Sequence, residues 1–373
     1  MTLLTSSDVN NKIINKSDQQ SFITFFCSYT PEEIIMASGF QPKRVIPLGS
    51  DPSLANSFLD SNFCPYVRSI LTWAINLKQD KAMLPTVLVN SCDGMRRLHD
   101  VWNYYLKNSF VYFLDLPRKQ EPASKEQFKL SLYRLKESLE EFTGKKITEE
   151  KLAVAIQQNN EFRTLLEKLD QLRQNQTIVL SSYDFLKLIP EGIQSSKRDY
   201  NHYLDNYIVE LLKKATERDQ RRKKTKLPHL LLTGTVLDNL ELIKTIENYG
   251  GFIDIADHCN GWRYYVNKID EQEPDKMEAI AKFYLEKTAC PRMLASEERE
   301  ERLLEIIKAR NIDGVIFYNQ KFCDPSLFQI PLLREKIKLM GIPSLFLEGD
   351  FSLDISGQVK TRIQAFLEAI EFG

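Results

Sequence analysis

Among the residues of this 373-residue sequence, the six cysteines have the most specific capacity for chemistry. A thiolate binds soft metals and takes part in redox chemistry, whereas a single buried cysteine more often serves as a small hydrophobic side chain. Their positions therefore matter more than their number. Three lie in the first half of the chain and three in the second: Cys27, Cys64, Cys92, Cys259, Cys290 and Cys323.

The ligand types available indicate which metal these thiols would bind. The sequence has only four histidines and no C-x-x-C pair, so the spacing of a zinc ribbon or finger is absent. A site rich in thiolate and poor in imidazole favours an iron–sulfur cluster over zinc. A structural disulfide is not expected in a cytoplasmic chain. The alternative, six buried thiols without a metal, stays open at this point.

Continuous apolar runs alternate with helical patterns around the cysteines of the first half. Strands are predicted at 44–49, 85–91 and 110–117, and helices at 64–79 and 95–107. The second half repeats the pattern, with strands predicted at 229–235, 251–258, 313–320 and 342–350. Strands without polar alternation that are separated by helices are typical of parallel sheets covered on both faces.

The segment between these two halves has a different composition. Residues 121–226 consist mostly of helix formers, with a break at Gly144 and a helix start at Thr148. The predicted fold class is therefore α/β, with two parallel-sheet lobes and a helical insert. The predicted domains are an N-terminal α/β lobe at 1–120, the helical segment at 121–226 and a C-terminal α/β lobe at 227–373.

Four cysteines fall where this architecture places its ligands. Cys92 and Cys259 directly follow predicted strands, Cys323 comes three residues after another, and Cys64 opens a helix. Ligands of open α/β sheets bind beyond the carboxyl ends of the strands, so thiolates that are distant in sequence can converge on one crevice. A helix start also lowers the pKa of a thiol, which favours the thiolate form.

Two further candidate sites rest on shorter patterns. Thr233, Gly234 and Thr235 form a strand-to-helix turn whose backbone amides could hold a phosphate or carboxylate of a cofactor, although an ordinary tight turn is the alternative. Thr30 is predicted to cap a helix with acidic residues in its first turn, where Glu33 is either a capping charge or a general base.

Composition excludes several classes of partner. Fifty basic and 51 acidic residues give a net charge of -1, which argues against a nucleic-acid binder. No stretch approaches the ~18 apolar residues of a membrane helix, and the first residues lack the pattern of a secretion signal. We therefore expect a cytoplasmic protein. The basic run at 218–226 is either a solvated helix end or a docking patch for a phosphate-bearing tail such as that of coenzyme A.

Several segments resemble one known family, that of the 2-hydroxyacyl-CoA dehydratases and benzoyl-CoA reductases, and in particular the D-component-like subunit of 2-hydroxyglutaryl-CoA dehydratase. The similarity covers about residues 20–370. It rests on the segments FFCSYTPEEIIMASGFQPKRV, CPYVRSIL, VLVNSCDGMRRLHDVW, DGVIFYNQKFCDPSLFQIPLL and GIPSLFLEGD. The most specific pieces are SCDGMRR and KFCDP.

This resemblance implies two flavodoxin- or Rossmann-like lobes with a [4Fe–4S] cluster between them. The cysteines that match the family's ligands are Cys64, Cys92 and Cys323, which would leave one iron open as a Lewis acid. The family's dehydratases remove water from an (R)-2-hydroxyacyl-CoA by a ketyl-radical route, after a separate ATP-dependent activator delivers one electron. They also pair two related subunits, so a second subunit or a homodimer is implied.

Two alternatives to the dehydratase remain. A branch of the family carries a double-cubane [8Fe–9S] cluster and reduces small molecules, and six thiolates would suffice for it. Cys27, Cys259 and Cys290 are then further candidate ligands. The third hypothesis is a non-catalytic subunit that only carries a cluster. The dehydratase is favoured because KFCDPSLFQIP is closer to the dehydratase form, and because the turn at Cys92 lacks the acid-Thr-Thr approach of the double-cubane branch.

Overall fold

Eight short strands form two separate parallel sheets, one in each half of the chain. The computed structural model describes residues 22–51, 53–106, 110–218, 227–294 and 296–372. Within this part of the chain, no helix is long and apolar enough to cross a membrane.

The first lobe is a parallel sheet with strand order β2-β1-β3-β4. Its strands are β1 Phe22–Phe25, β2 Gln41–Arg44, β3 Thr86–Val89 and β4 Val111–Leu114. Its helices are α1 Glu32–Ala37, α2 Pro65–Gln79 and α3 Asp93–Tyr105, with a 3-10 turn at Leu54–Ser57. Every residue of β3 is buried, as expected for a central strand covered on both faces.

Four helices follow: α4 Pro122–Thr143, α5 Glu149–Gln174, α6 Ser182–Gln194 and α7 Lys197–Arg218. The predicted local signals of this portion are confirmed. Helix α4 ends at Gly144, whose φ of 67° suits glycine, and the side chain of Thr148 accepts a hydrogen bond from the backbone N–H of Lys151 at the start of α5. Whether 121–226 forms a domain of its own stays a prediction.

The second lobe repeats the topology of the first, with strand order β6-β5-β7-β8 and every pair parallel. Its strands are β5 His229–Gly234, β6 Phe252–Asp257, β7 Gly314–Gln320 and β8 Ser344–Gly349. Its helices are α8 Glu241–Asn248, α9 Trp262–Tyr265, α10 Lys276–Glu286, α11 Ser296–Ala309, α12 Asp324–Leu327, α13 Ile330–Leu339 and α14 Gly357–Phe372. The predicted α/β class with two parallel-sheet lobes is confirmed.

Each sheet contains one point where the strand order reverses. The reversals lie between β1 and β3 in the first lobe and between β5 and β7 in the second. In open α/β sheets, ligands bind at such switch points, outside the carboxyl ends of the strands. The fold therefore offers one ligand-binding edge in each lobe.

The two lobes share a hydrophobic core. Helix α10 belongs to the second half of the sequence, yet it packs against α4. Met277 and Tyr284 of α10 lie in one buried cluster with Ile23 of β1 and Val87 of β3. The first lobe therefore depends on a helix contributed by the second half of the chain.

Two local predictions in the first lobe are wrong. The strand predicted at 44–49 lies instead at Gln41–Arg44, because Pro47 and the left-handed Gly49 (φ 79°) prevent a strand beyond it. Pro42 is tolerated because β2 is an edge strand.

The sequence patterns also missed β1, which has only four residues. Its Thr24 hydroxyl pairs with that of Thr86 (2.9 Å), a contact with no local sequence signal.

We expect Gly192→Ala to destabilise the helical portion. A Cβ at this position in α6 would lie 2.2 Å from Cζ of Phe162 and 2.8 Å from Cδ1 of Tyr200. Such overpacking costs about 1–3 kcal/mol, which exceeds the gain of up to about 1 kcal/mol from replacing a helical glycine. The midpoint of urea unfolding, followed by circular dichroism, should fall. Gly357→Ala is the control, since its added methyl meets no atom within 4 Å, and equal midpoints for the two variants would contradict the prediction.

Candidate metal centre

Three cysteines, which we call the first trio, each stand directly before a helix. Cys64 precedes α2, Cys92 precedes α3 and Cys323 precedes α12. Cys92 and Cys323 also follow β3 and β7, the strands beside the two switch points. Phe322, just before Cys323, adopts the left-handed conformation (φ 58°), which is uncommon for a bulky residue and marks a strained turn at this position.

The other three cysteines, the second trio, lie on neighbouring loops. Cys27 follows β1, Cys259 follows β6, and Cys290 lies in the connection from α10 to α11. The hydroxyl of Tyr29 accepts a hydrogen bond from the backbone N–H of Cys290 (3.1 Å). This contact ties the loop after β1 to the loop that carries Cys290.

All six thiols are free and partly buried, and they influence one another electrostatically. Burial, followed by the charges of Cys64, Cys92 and Cys290, raises the pKa of the Cys323 thiol well above its ordinary value. Burial also raises the pKa of Cys92 to about 12, with contributions from Cys64, Cys27 and Cys290. Charges act on one another in this way only over short distances. The structure therefore brings the cysteines of both lobes into one region.

The expected lowering of the Cys64 pKa by its helix is wrong. The backbone N–H groups of Tyr66 and Val67 do act to lower it, as a helix start should. Burial outweighs them and raises the pKa of Cys64 to about 11, with a further increase from the carboxylate of Asp238. The protonated form of the Cys64 thiol is therefore favoured until a metal ion displaces its proton.

The donor set fits an iron–sulfur group. Within the described ranges, no three or more His, Cys, Asp or Glu side chains are grouped so that they could hold a metal ion. The thiolates of a four-iron cluster bind different irons, so they stand farther apart than the ligands of one ion. What fits is the chemistry of the donors: six free, partly buried thiols from both lobes, several of which influence one another electrostatically.

Glu33 lies in a buried network rather than in an open cleft. Its carboxylate accepts hydrogen bonds from Arg163 (2.8 Å), Tyr284 (2.8 Å) and Asn159 (3.1 Å), and its side chain is 0% exposed. These contacts favour a structural role, and a role as general base stays a prediction. The predicted cap is wrong, since Pro31 holds the cap position of α1, and the hydroxyl of Thr30 has no hydrogen-bond partner among the described residues.

Glu33 belongs to a larger set of buried polar groups that joins the parts of the chain. The neighbouring Glu32 accepts a hydrogen bond from Tyr264 of α9 (3.1 Å) and lies 3.5 Å from Lys197 of α7. We call these residues the seam network: Glu32, Glu33, Asn159, Arg163, Lys197, Tyr264 and Tyr284. The network links α1 of the first lobe to the helical portion and to two helices of the second half.

The turn at 233–235 uses its polar groups internally. The hydroxyl of Thr233 donates to Asp257 (2.6 Å), and the carbonyl of Gly234 accepts from Arg263 (2.6 Å). Gly234 is required because a Cβ there would lie 1.8 Å from the carbonyl oxygen of Tyr318. These contacts agree with an ordinary tight turn, and binding of a cofactor by Thr233, Gly234 and Thr235 stays a prediction.

The patterns in the sequence missed the cations around the second trio. Arg44 ends β2, and its guanidinium donates to the carbonyl oxygen and to the sulfur of Cys259, both at 2.8 Å. Burial raises the pKa of Cys259, but the charges of Arg44, Arg263 and Lys287 lower it more, so that it lies below its ordinary value. Residues 44 and 259 are far apart in sequence, and no local pattern pairs them. The basic run at 218–226, interpreted either as a solvated helix end or as a docking patch, lies outside the described residues apart from its first position.

These observations define the chain as an α/β protein whose two parallel sheets present thiols at their carboxyl edges. Residues 27–370 match the model of the family described as 2-hydroxyglutaryl-CoA dehydratase, D-component. Because this match spans most of the chain, the protein belongs to that family. The resemblance seen in the sequence is thereby confirmed.

Characterised relatives cover nearly the full length of the chain. The chain is 24% identical to the (R)-phenyllactyl-CoA dehydratase beta subunit of Clostridium sporogenes, over 92% of this chain and 90% of the relative. It is 26% identical to one of the subunits of benzoyl-CoA reductase from Thauera aromatica, over 86% and 83%. It is 22% identical to the beta subunit of (R)-2-hydroxyglutaryl-CoA dehydratase of Acidaminococcus fermentans, over 92% and 90%.

We expect Glu33→Gln to lower stability strongly. The substitution keeps the shape of the side chain but leaves the buried Arg163 without its ionic partner. Breaking a buried ion pair from one side costs about 3–5 kcal/mol. The urea midpoint of the full chain should therefore fall well below that of the native protein.

The matched control is Glu241→Gln, which removes an exposed carboxylate 3.5 Å from Lys244. An exposed pair contributes about 0–1 kcal/mol, so this variant should unfold close to the native protein. A Glu33→Gln protein of native stability that had lost all turnover would instead support the general base.

Proposed function

We propose that the chain is the iron–sulfur subunit of a 2-hydroxyacyl-CoA dehydratase-type enzyme, a lyase that removes water from an (R)-2-hydroxyacyl-CoA. The observation that carries this proposal is the first trio: Cys64, Cys92 and Cys323, each at the start of a helix and electrostatically coupled across the two lobes. Three protein thiolates are enough to hold a [4Fe–4S] cluster while leaving one iron without a protein ligand. Membership of the dehydratase family supports the same conclusion.

Such a cluster would supply a low-potential electron and a Lewis-acidic iron, the chemistry required for a ketyl-radical removal of water from the thioester. The residues of the chain provide its environment. The first trio would hold the cluster, and backbone N–H groups of Tyr66 and Val67 would stabilise the negative charge of a thiolate at Cys64. Burial of the thiols restricts access of water to the site.

The proposal implies partners of three kinds. An acyl-CoA is the substrate, and a related second subunit or a second copy of the chain completes the enzyme. Three relatives are named as subunits, which supports a multi-subunit assembly. The sequence has no G-x-x-x-x-G-K-[ST] motif, so we assign the ATP-dependent delivery of the electron to a separate activator.

A second candidate is a double-cubane reductase of small molecules. It is favoured by one specific observation: the second trio lies in the same region as the first, since Cys27 and Cys290 act on the thiol of Cys92 and Cys290 acts on that of Cys323. Three thiolates for each cubane would account for all six cysteines. The two candidates therefore differ in how much iron the chain binds and in which cysteines bind it.

Iron and labile sulfide, measured together with EPR spectra on protein purified without oxygen, test the proposal. If the chain is a dehydratase subunit, we expect about four irons and four sulfides per chain, because a [4Fe–4S] cluster has that composition. Replacing Cys64, Cys92 or Cys323 with serine should abolish this content, since each removes one thiolate ligand. Retention of full iron by all three variants would contradict the proposal.

Serine variants of the second trio serve as the comparison, because they make the same chemical change in the same region. Under the dehydratase, Cys259→Ser and Cys290→Ser keep about four irons. About eight irons in the native protein, with loss in these two variants, would establish the double-cubane alternative instead.

A further inference from the structure

Buried cations stand beside each cysteine of the second trio. Arg44, only 3% exposed, binds both the carbonyl oxygen and the sulfur of Cys259. The ammonium group of Lys287 donates to the carbonyl oxygen of Ser28, next to Cys27. Arg263 donates to the carbonyl oxygen of Ala289 (3.4 Å), next to Cys290.

Two of these cations have no carboxylate to balance them. Arg263 pairs with Asp257 (3.0 Å). Among the described residues, no carboxylate lies within ion-pair distance of Arg44 or Lys287. Lys287 is instead held over the rings of Tyr29 (4.5 Å) and Tyr284 (4.6 Å). Burying an unbalanced cation is costly, and burial lowers the pKa of Lys287 to about 8. An anion beside Arg44 and Lys287 would offset this cost.

The sulfur of Cys259, which accepts a hydrogen bond from Arg44 at 2.8 Å, is a group of the second trio that can carry the balancing negative charge. The field of Arg44 and Lys287 already acts on Cys259, and both cations also interact with Cys27. At Cys64 of the first trio, by contrast, the carboxylate of Asp238 acts to raise the pKa of the thiol more than the guanidinium of Arg68 acts to lower it. The two trios therefore share a region but differ in the charge that surrounds them.

We propose that Arg44 and Lys287 are positioning residues that balance the second trio as thiolates, and so make an iron–sulfur group held there easier to reduce than one held by the first trio. Nearby positive charge stabilises the state that has gained an electron, which comes here from a low-potential one-electron donor. The inference rests on the second candidate function, the double-cubane form with six thiolates, because it requires iron at the second trio. It assigns the order in which the two sites accept an electron.

The test uses the full chain, reconstituted with iron and sulfide without oxygen, and an EPR-monitored redox titration with dithionite. Arg44→Gln and Lys287→Met should each move the midpoint of the more easily reduced signal to a more negative potential. Arg44→Gln should also reduce bound iron, up to half of the native content, because it releases the sulfur of Cys259. Arg44→Lys keeps the charge and should restore most of both values.

Arg334→Gln is the matched control, since this arginine of α13 loses the same charge at the exposed surface, where its Nε donates a hydrogen bond to the hydroxyl of Ser344 (3.3 Å). Native midpoints and native iron in both Arg44→Gln and Lys287→Met would overturn the inference. If Arg44→Gln fails to fold, Lys287→Met decides alone, because it leaves the contact between Arg44 and Cys259 in place.

The Cys259→Ser variant separates this inference from the proposed function. Unchanged iron content and an unchanged spectrum would remove the second site and leave the first trio untouched. Unchanged iron in the serine variants of Cys64, Cys92 and Cys323 would instead defeat the proposed function itself.

Discussion

The buried ion pair between Glu33 and Arg163 is the contact on which the arrangement of the whole chain depends. Arg163 is 2% exposed and Glu33 is fully buried, so neither charge has access to water as a replacement partner. Any other placement of α1 against the helical portion would leave two charges buried and unpaired, at a cost of several kcal/mol for each ion. Tyr284 extends this constraint to α10 and thus to the second half of the chain.

The seam network and the candidate metal centre differ in how their buried charges are balanced. In the seam network, a cation and a carboxylate satisfy each other, which makes the junction of the lobes rigid. Around the second trio, Arg44 and Lys287 lack such carboxylates within the described residues. Arg44 contacts the sulfur of Cys259, and Lys287 lies over the rings of Tyr29 and Tyr284. Buried cations without carboxylate partners reduce stability, and an anion bound beside them would offset that cost.

Sequence patterns predicted seven of the eight strands, one of them misplaced, because buried parallel strands are continuous apolar runs. They missed β1, whose four residues depend on neighbours in β2 and β3 for their definition. They identified the six cysteines as candidate ligands but not the cations beside them. The contact between Arg44 and Cys259, for example, joins residues 215 positions apart. The prediction of a lowered pKa for Cys64 was wrong because the sequence shows that a helix begins there but does not show how deeply the thiol is buried.

The packing of α10 against the first lobe has a consequence for how the chain can be built. During synthesis, the first lobe lacks Met277 and Tyr284 until residues far beyond its own sheet have been made. Its core therefore closes late, and the two halves mature together rather than one after the other. For the same reason, a hybrid protein that joins the first lobe of this chain to the second half of a relative would contain the relative's α10. The core of the first lobe would then lack the helix that it packs with in this chain. Recombination between members of the family should therefore exchange whole chains rather than single lobes.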